Sequence, residues 1–253
     1  MPRRSRDRRE RLARAGSFLL VAVGLSLAAQ QPSSRTLDFD RYKREYQLLI
    51  PAQAAKGPVP LIVLLHGSGG NGQRPLSAWQ DLARKEGIAL VAPKSLGQGW
   101  VLFSDGPDFF HALIETVKKE AAIDGRRVYL FGHSSGGHQA LTIGPIESEY
   151  FAAVAVHAGA LNPSEKLFLQ QARRKIPVAM WHGKADDIVP ARMGRDTRDM
   201  FKTLEFPVTL TEIDSHKHDY FSRSGSINAE VWAFLKAHAL TADPIYRPYT
   251  FNR

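Results

Sequence analysis

The stretch "LFGHSSGGHQAL" (Leu130–Leu141) changes character twice. It begins inside an apolar run, Val128–Phe131, which reads as a buried strand. It passes through Gly132-His133-Ser134-Ser135-Gly136, a G-x-S-x-G pattern, and then becomes helix-like. The glycines have a steric reason. A strand that reverses sharply into a helix brings both backbones close to the central residue, so the positions two before and two after it must lack bulk. Ser134 is thereby lifted out of the sheet at a helix N-terminus, where the dipole favours negative charge. Ser135 does not fit that role, because the residue two before it is His133. An ordinary glycine-rich βα turn has the same local look, so the partners decide.

Outward from this point the chain alternates. "LIVLLHG" (Leu61–Gly67), "IALVAP" (Ile88–Pro93), "RVYLFG" (Arg127–Gly132), "FAAVAVHAG" (Phe151–Gly159) and "PVAMWHG" (Pro177–Gly183) are continuous apolar runs, as expected of strands covered on both faces. "PVTLTEID" (Pro207–Asp214) is a further strand, and "YKREYQLLI" (Tyr42–Ile50) alternates like an exposed early one. Helical patterns run over Pro75–Gly87, over Asp108–Asp124 with Asp108 as the cap, onward from Gly136, over Ala191–Leu204 and over Ser226–Leu240. This order predicts an α/β fold, a mostly parallel central sheet with helices on both faces. In such a sheet ligands sit at the carboxyl ends of the strands. The polar clusters there are "HGSGGNG", "GHSSGG", "HGKADDIVP" and "DSHKHDY".

A serine hydroxyl is a poor nucleophile near neutral pH. It needs a base within hydrogen-bond reach, and the base needs an orienting carboxylate. "HGKADDIVP" offers Asp186 and Asp187; "SHKHDYF" offers His216 and His218. Both clusters follow strands, in the order serine, acid, histidine. Residue periodicity does not separate His216 from His218, since both would point the same way on an extended loop.

Together "LLHGSGGNG", "IDGRRVYLFGHSSGGH", "HGKADDIVP" and the "HKHDY" loop resemble the α/β-hydrolase superfamily over about residues 40–240. Within it the chain looks like the small esterases related to dienelactone hydrolases, carboxylesterases and polyhydroxybutyrate-depolymerase-like feruloyl esterases. The resemblance implies an α/β-hydrolase fold without a large cap domain. Its H-G-x-x-D pattern puts the acid on Asp186, and its His-x-aromatic pattern puts the base on His218. It also implies an oxyanion hole made by the backbone N–H groups of Ser68 and Ser135, and neither a cofactor nor a metal. His66 is expected to support the loop after the first buried strand. His133, His138, His157 and His182 are expected to be structural or pocket residues. Trp79, Trp100, Phe103 and Tyr220 read equally well as pocket or core.

Composition narrows the rest. The chain has 253 residues, 43% of them apolar, and no cysteine. That excludes disulfides, thiolate metal sites and a cysteine nucleophile; no HExxH-like spacing is present either. Of the +9 formal charge, +5 lies in residues 1–14, where seven arginines face Asp7 and Glu10. The basic balance is therefore local and does not argue for a nucleic-acid partner. The uncharged "SFLLVAVGLSLAA" (Ser17–Ala29) is short for a membrane span, which takes about 20 apolar residues. With the basic segment before it and small residues at Ser26 and Ala28, it reads as a signal peptide over 1–29, or otherwise an N-terminal anchor. A polar linker (30–40), the hydrolase domain (41–240) and a C-terminal tail (241–253) follow. The expected protein is an exported serine esterase, periplasmic or extracellular, acting on small-molecule or polymer-borne esters, with no stable membrane span once mature. The rival readings are a prolyl-oligopeptidase-like peptidase, which would need a gating domain this chain has no room for, and a non-catalytic binding protein on the same fold. Nothing in the sequence sets the oligomeric state.

Overall fold

The computed structural model describes residues 31–246. Eight strands, β1 (Ser33–Phe39), β2 (Tyr42–Leu49), β3 (Val59–Leu65), β4 (Ala89–Pro93), β5 (Ile123–His133), β6 (Ala153–His157), β7 (Val178–Gly183) and β8 (Val208–Ile213), form one sheet in the order β1-β2-β4-β3-β5-β6-β7-β8. β2 pairs antiparallel with both neighbours; β4 to β8 run parallel. The helices are α1 (Gln73–Glu86), α2 (Pro107–Glu120), α3 (Ser135–Ile146), α4 (Lys166–Gln170), α5 (Ala191–Thr203) and α6 (Ser224–Leu235).

The buried apolar runs divide between two cores. Along β3, Leu61, Val63 and Leu65 pack with α2, α3 and α5, whereas Ile62 and Leu64 pack with α1 and α6. Along β5, Val128 and Leu130 face the first core, Tyr129 and Phe131 the second. Side chains alternate across a strand, so a sheet covered on both faces requires apolar residues at every position. The chain reverses direction across the sheet at β3, with β4 on one side of it and β5 on the other. The loops after β3 and β5 therefore open side by side at the carboxyl edge.

Two expectations are corrected. The stretch 30–40 read as a polar linker holds β1, a strand paired residue by residue with β2 from Ser33↔Leu48 to Phe39↔Tyr42. Its turn is Asp40-Arg41, both at positive φ (45° and 69°). That is a two-residue hairpin turn of the type usually marked by Asn-Gly, and Asp-Arg carries no such signal. The helix expected over Asp108–Asp124 spans Pro107–Glu120 with Gly106 at its cap, because Ile123 and Asp124 already belong to β5. Asp108 lies inside the first turn and its carboxylate accepts the Tyr246 hydroxyl at 2.8 Å. The segment read as a signal peptide lies outside the described residues. Among the described residues no helix is long and apolar enough to cross a membrane.

One buried ion pair ties the amino-terminal hairpin to the site. Arg44 alternates with Tyr46 and Leu48 on the buried face of β2. Its guanidinium pairs with Asp105, donates to the Ser104 carbonyl at 3.0 Å, and lies 3.7 Å over the Phe109 ring. Asp105 in turn accepts the Leu96 and Val101 N–H groups at 3.2 and 3.0 Å. These bonds organise the loop between β4 and α2. A buried charge that loses its partner cannot recover its hydration. Asp105→Ala is therefore expected to destabilise the fold by about 3–5 kcal/mol in urea unfolding, far more than loss of the exposed Arg173–Glu149 pair.

Candidate active site

Ser134 joins β5 to α3 with φ 55° and ψ −121°. Such a conformation costs an L-residue roughly 1–3 kcal/mol and persists only where its surroundings hold it. The flanking glycines allow it. A Cβ on Gly132 would lie 2.1 Å from the Gly136 carbonyl oxygen, and one on Gly136 would lie 2.2 Å from that of Leu65. The Ser134 N–H donates to the His157 carbonyl at 3.0 Å, and its own carbonyl accepts the His138 N–H at 2.9 Å. The reversal is thus locked to β6 on one side and to the first turn of α3 on the other.

His218 stands between serine and acid. Its Nε2 is 2.9 Å from Ser134 Oγ, and its Nδ1 is 2.8 Å from Asp186 Oδ2. The other Asp186 oxygen accepts the N–H groups of Ile188 and Val189 at 3.0 and 2.9 Å. Burial pushes the Asp186 pKa up, but the hydrogen bonds from His218 and the two backbone amides outweigh it and hold the carboxyl below its usual range. Asp187, its neighbour, is exposed. His182 donates from Nε2 to the Val189 carbonyl at 2.8 Å and so closes the turn that presents Asp186.

His216 and His218 do not face the same way. The segment is not extended: Ser215 has φ 56°. His216 turns inward, where its Nε2 lies 3.0 Å from His157 Nε2, and His157 Nδ1 lies 3.1 Å from His133 Nδ1. Three imidazoles are thus bonded in series beneath the His218 loop. Each neutral ring has one donor and one acceptor, so the chain runs wholly in one direction or wholly in the other. His133 also lies against His218, ring centroids 5.0 Å apart. Burial, then the nearby His218, lowers the His133 pKa to about 4. Burial, then the neighbouring histidines, lowers that of His157 to about 2. Nothing in the local sequence marks this chain, because it joins the ends of two strands, β5 and β6, to the loop after β8.

The loop after β3 is braced as a unit. The Ser95 N–H donates to His66 Nε2 at 3.0 Å, which leaves Nδ1 as the donor to the Gly67 carbonyl at 2.7 Å. Trp100 Nε1 donates to the His66 carbonyl at 2.8 Å. A Cβ on Gly67 would lie 3.4 Å from Ser134 Cβ, so the Gly67-Ser68 backbone adjoins the serine. Ser135 opens α3 beside it. A cavity of about 650 Å³ lies along this loop, walled by Ser68, Arg74, His133 and Phe221 among others. Of the four aromatics expected in pocket or core, Trp79 and Tyr220 are core, Trp100 braces His66, and Phe103 is almost wholly exposed. The aromatic that lines the cavity is Phe221, three residues after His218. No group of three or more metal-ligating side chains is found among the described residues.

The chain belongs to the alpha/beta hydrolase family, whose family model matches residues 62–252. Its curated relatives include feruloyl esterase D of Neurospora crassa, 27% identical over 75% of this chain and 74% of that protein. Feruloyl esterase C of Emericella nidulans is 34% identical over 47% of each chain, and a bifunctional acetylxylan esterase/xylanase of Neocallimastix patriciarum is 30% identical over 58% of this chain. The match spans less than half the length of several such relatives, 47% and 22% for the last two. Among solved structures, Est1E from Butyrivibrio proteoclasticus superposes with a TM-score of 0.64 at 17% identity, covering 81% of this chain and 99% of its own. That similarity is one of fold.

The imidazole chain has a measurable consequence. His133 and His157 titrate near 6.5 when unfolded but far lower when folded, so below pH 6.5 the unfolded state binds more protons. Stability should be unaffected by these groups above pH 6.5 and should fall as pH drops from there towards about 4. His157→Gln, which keeps a donor and an acceptor but cannot titrate, should flatten this limb in urea unfolding measured at stepped pH.

Proposed function

We propose that the protein is a serine esterase in which Ser134, His218 and Asp186 act as the catalytic triad. The observation that carries this reading is the unbroken path from Asp186 Oδ2 through both His218 nitrogens to Ser134 Oγ. Ser134 Oγ attacks the ester carbonyl while His218 Nε2 takes its proton. The Ser68 and Ser135 N–H groups receive the negative oxygen of the tetrahedral intermediate, each such donor contributing about 2.7–4 kcal/mol. His218 then protonates the leaving alcohol, an acyl-enzyme remains, and water activated by the same histidine releases the acid. The ionised Asp186 holds the Nδ1 proton and stabilises the imidazolium. No cofactor enters these steps.

Access to the site supports a reading of the substrate class. The connection after β6 holds only a 3₁₀ turn, Pro163–Glu165, and the short α4. It is pinned to α3 by His138, whose Nε2 lies 2.7 Å from Glu165 Oε1. No cap is built there, so the site is open to small esters and to esters carried on a polymer, in keeping with the feruloyl and acetylxylan esterases among the relatives. We further propose export through residues 1–29, the mature protein beginning near residue 29 or 30. The intact-protein mass from the native host tests this; a full-length arginine-rich terminus on the bulk of the protein would refute it.

Ser134→Ala should lower turnover of a short-chain aryl ester by at least about 10⁴-fold with little change in unfolding midpoint. Full activity in that variant would sink the mechanism. Asp186→Asn should be nearly as severe, about 10⁴-fold in kcat. The Ile188 and Val189 N–H groups claim the remaining carbonyl oxygen, which turns the amide NH₂ towards His218 Nδ1 and forces the proton onto Nε2. The base is then in the wrong tautomer. His218→Ala should match Ser134→Ala, whereas His216→Ala and Asp187→Asn should retain most of the chemistry.

A further inference from the structure

We infer that Arg74 and Phe221 form a recognition site for a carboxylate carried by the substrate, so that the enzyme favours anionic over neutral esters. The inference rests on the esterase reading and names which esters it would select.

The cavity beside Ser134 has Gly67 and Ser68 in its wall, and a Cβ on Gly67 would lie 3.4 Å from Ser134 Cβ. An ester carbonyl seated at Ser134 would therefore extend one of its ends along this cavity. Arg74 and Phe221 belong to the same wall. The Arg74 guanidinium carbon lies 3.8 Å over the Phe221 ring. Stacking of this kind holds one face of the guanidinium flat and leaves the N–H edge unused, the geometry that binds a two-oxygen anion bidentately. Phe221 is itself packed on Tyr220, ring centroids 5.0 Å apart, and lies T-shaped to His133 at 6.1 Å. The arginine is thus positioned by the segment that carries His218.

Beyond this stacking on Phe221, its charge has no ionic partner among the described residues. Among the described residues no carboxylate pairs with Arg74, and none lines the cavity. The neighbouring Arg84 is paired with Asp81 on the same helix. Arg74 also stands in the first turn of α1, where the helix dipole disfavours a cation, whereas Arg84 and Lys85 occupy the last turn, where it favours one. Helix stability therefore does not account for it. A preorganised, unpaired guanidinium on the wall of an otherwise uncharged cavity next to the nucleophile matches a planar carboxylate a few bonds from the scissile ester.

Two matched ester pairs test this and show which end of the substrate is read. Mono-4-nitrophenyl glutarate against 4-nitrophenyl butyrate places the charge on the acyl side; 4-acetoxybenzoate against its methyl ester places it on the alcohol side. For one pair, the wild-type ratio of kcat/KM, anionic over neutral, should exceed that of Arg74→Gln by about tenfold or more, the effect residing in KM. Arg74→Lys, a point charge without the planar fork, should retain part of it. An unchanged ratio in both pairs overturns the inference. A second arm does not depend on turnover. Ser134→Ala protein, studied by calorimetry, should bind monomethyl glutarate or 4-acetoxybenzoate more tightly than the corresponding neutral diester or methyl ester, and adding Arg74→Gln should remove that difference. If neither neutral nor anionic ester is turned over, the esterase reading fails and the calorimetric arm alone decides on Arg74; equal binding of charged and neutral ligands there refutes it.

Discussion

Ser134 is held at a positive φ that its own side chain disfavours, and the arrangement of the site depends on that constraint. The turn is tolerable only because Gly132 and Gly136 let backbones pass where any Cβ would collide with a carbonyl. Once the reversal is made, the serine stands above the sheet edge, α3 starts beneath it, and its N–H is tied to β6. The loop after β3 must then lie against it, since Gly136 abuts Leu65 and Gly67 abuts Ser134. One strained residue thus places the serine, the helix terminus and the neighbouring loop together.

Around this point the protein uses neutral and charged buried polar groups differently. Arg44 and Asp105 remain a paired ion deep in the structure and order the β4–α2 loop, which in turn braces the loop after β3 through Gln98 and Trp100. His133, His157 and His216 are instead a neutral series. An imidazole can be both donor and acceptor without charge, so three of them bond in series with no ion among them. The series anchors the loop bearing His218 to the end of β6, one strand from Ser134. The position of His218 is thereby coupled to the same strand that receives the Ser134 N–H.

The alternation of strand and helix, the two-faced burial of β3 and β5 and the glycine-flanked serine were legible from local pattern, because each is dictated by short-range sterics or by side-chain period. The hairpin strand β1 was not. Only Leu37 and Phe39 of its residues pack on the core, and its turn lacks the usual glycine. Arg44 did leave a trace, as a charge in phase with Tyr46 and Leu48 on the apolar face of β2, and the partner it implies is sixty-one residues away.

By itself the sequence determined that this chain folds as an α/β sheet with a serine, an acid and a histidine delivered to one edge in that order, since strand ends and glycine spacing are local properties. Which aspartate and which histidine meet the serine was decided by tertiary structure. Asp186 is drawn inward by the amides of its own turn while Asp187 stays in water, and the turn at Ser215 sends His216 towards His157 and His218 towards Ser134. Adjacent and alternate residues in a loop have no fixed phase, so their directions follow from what the rest of the fold places around them. The same holds for Arg74 and Phe221, whose contact joins the first turn of α1 to the segment after His218, two places that meet only when the sheet is assembled.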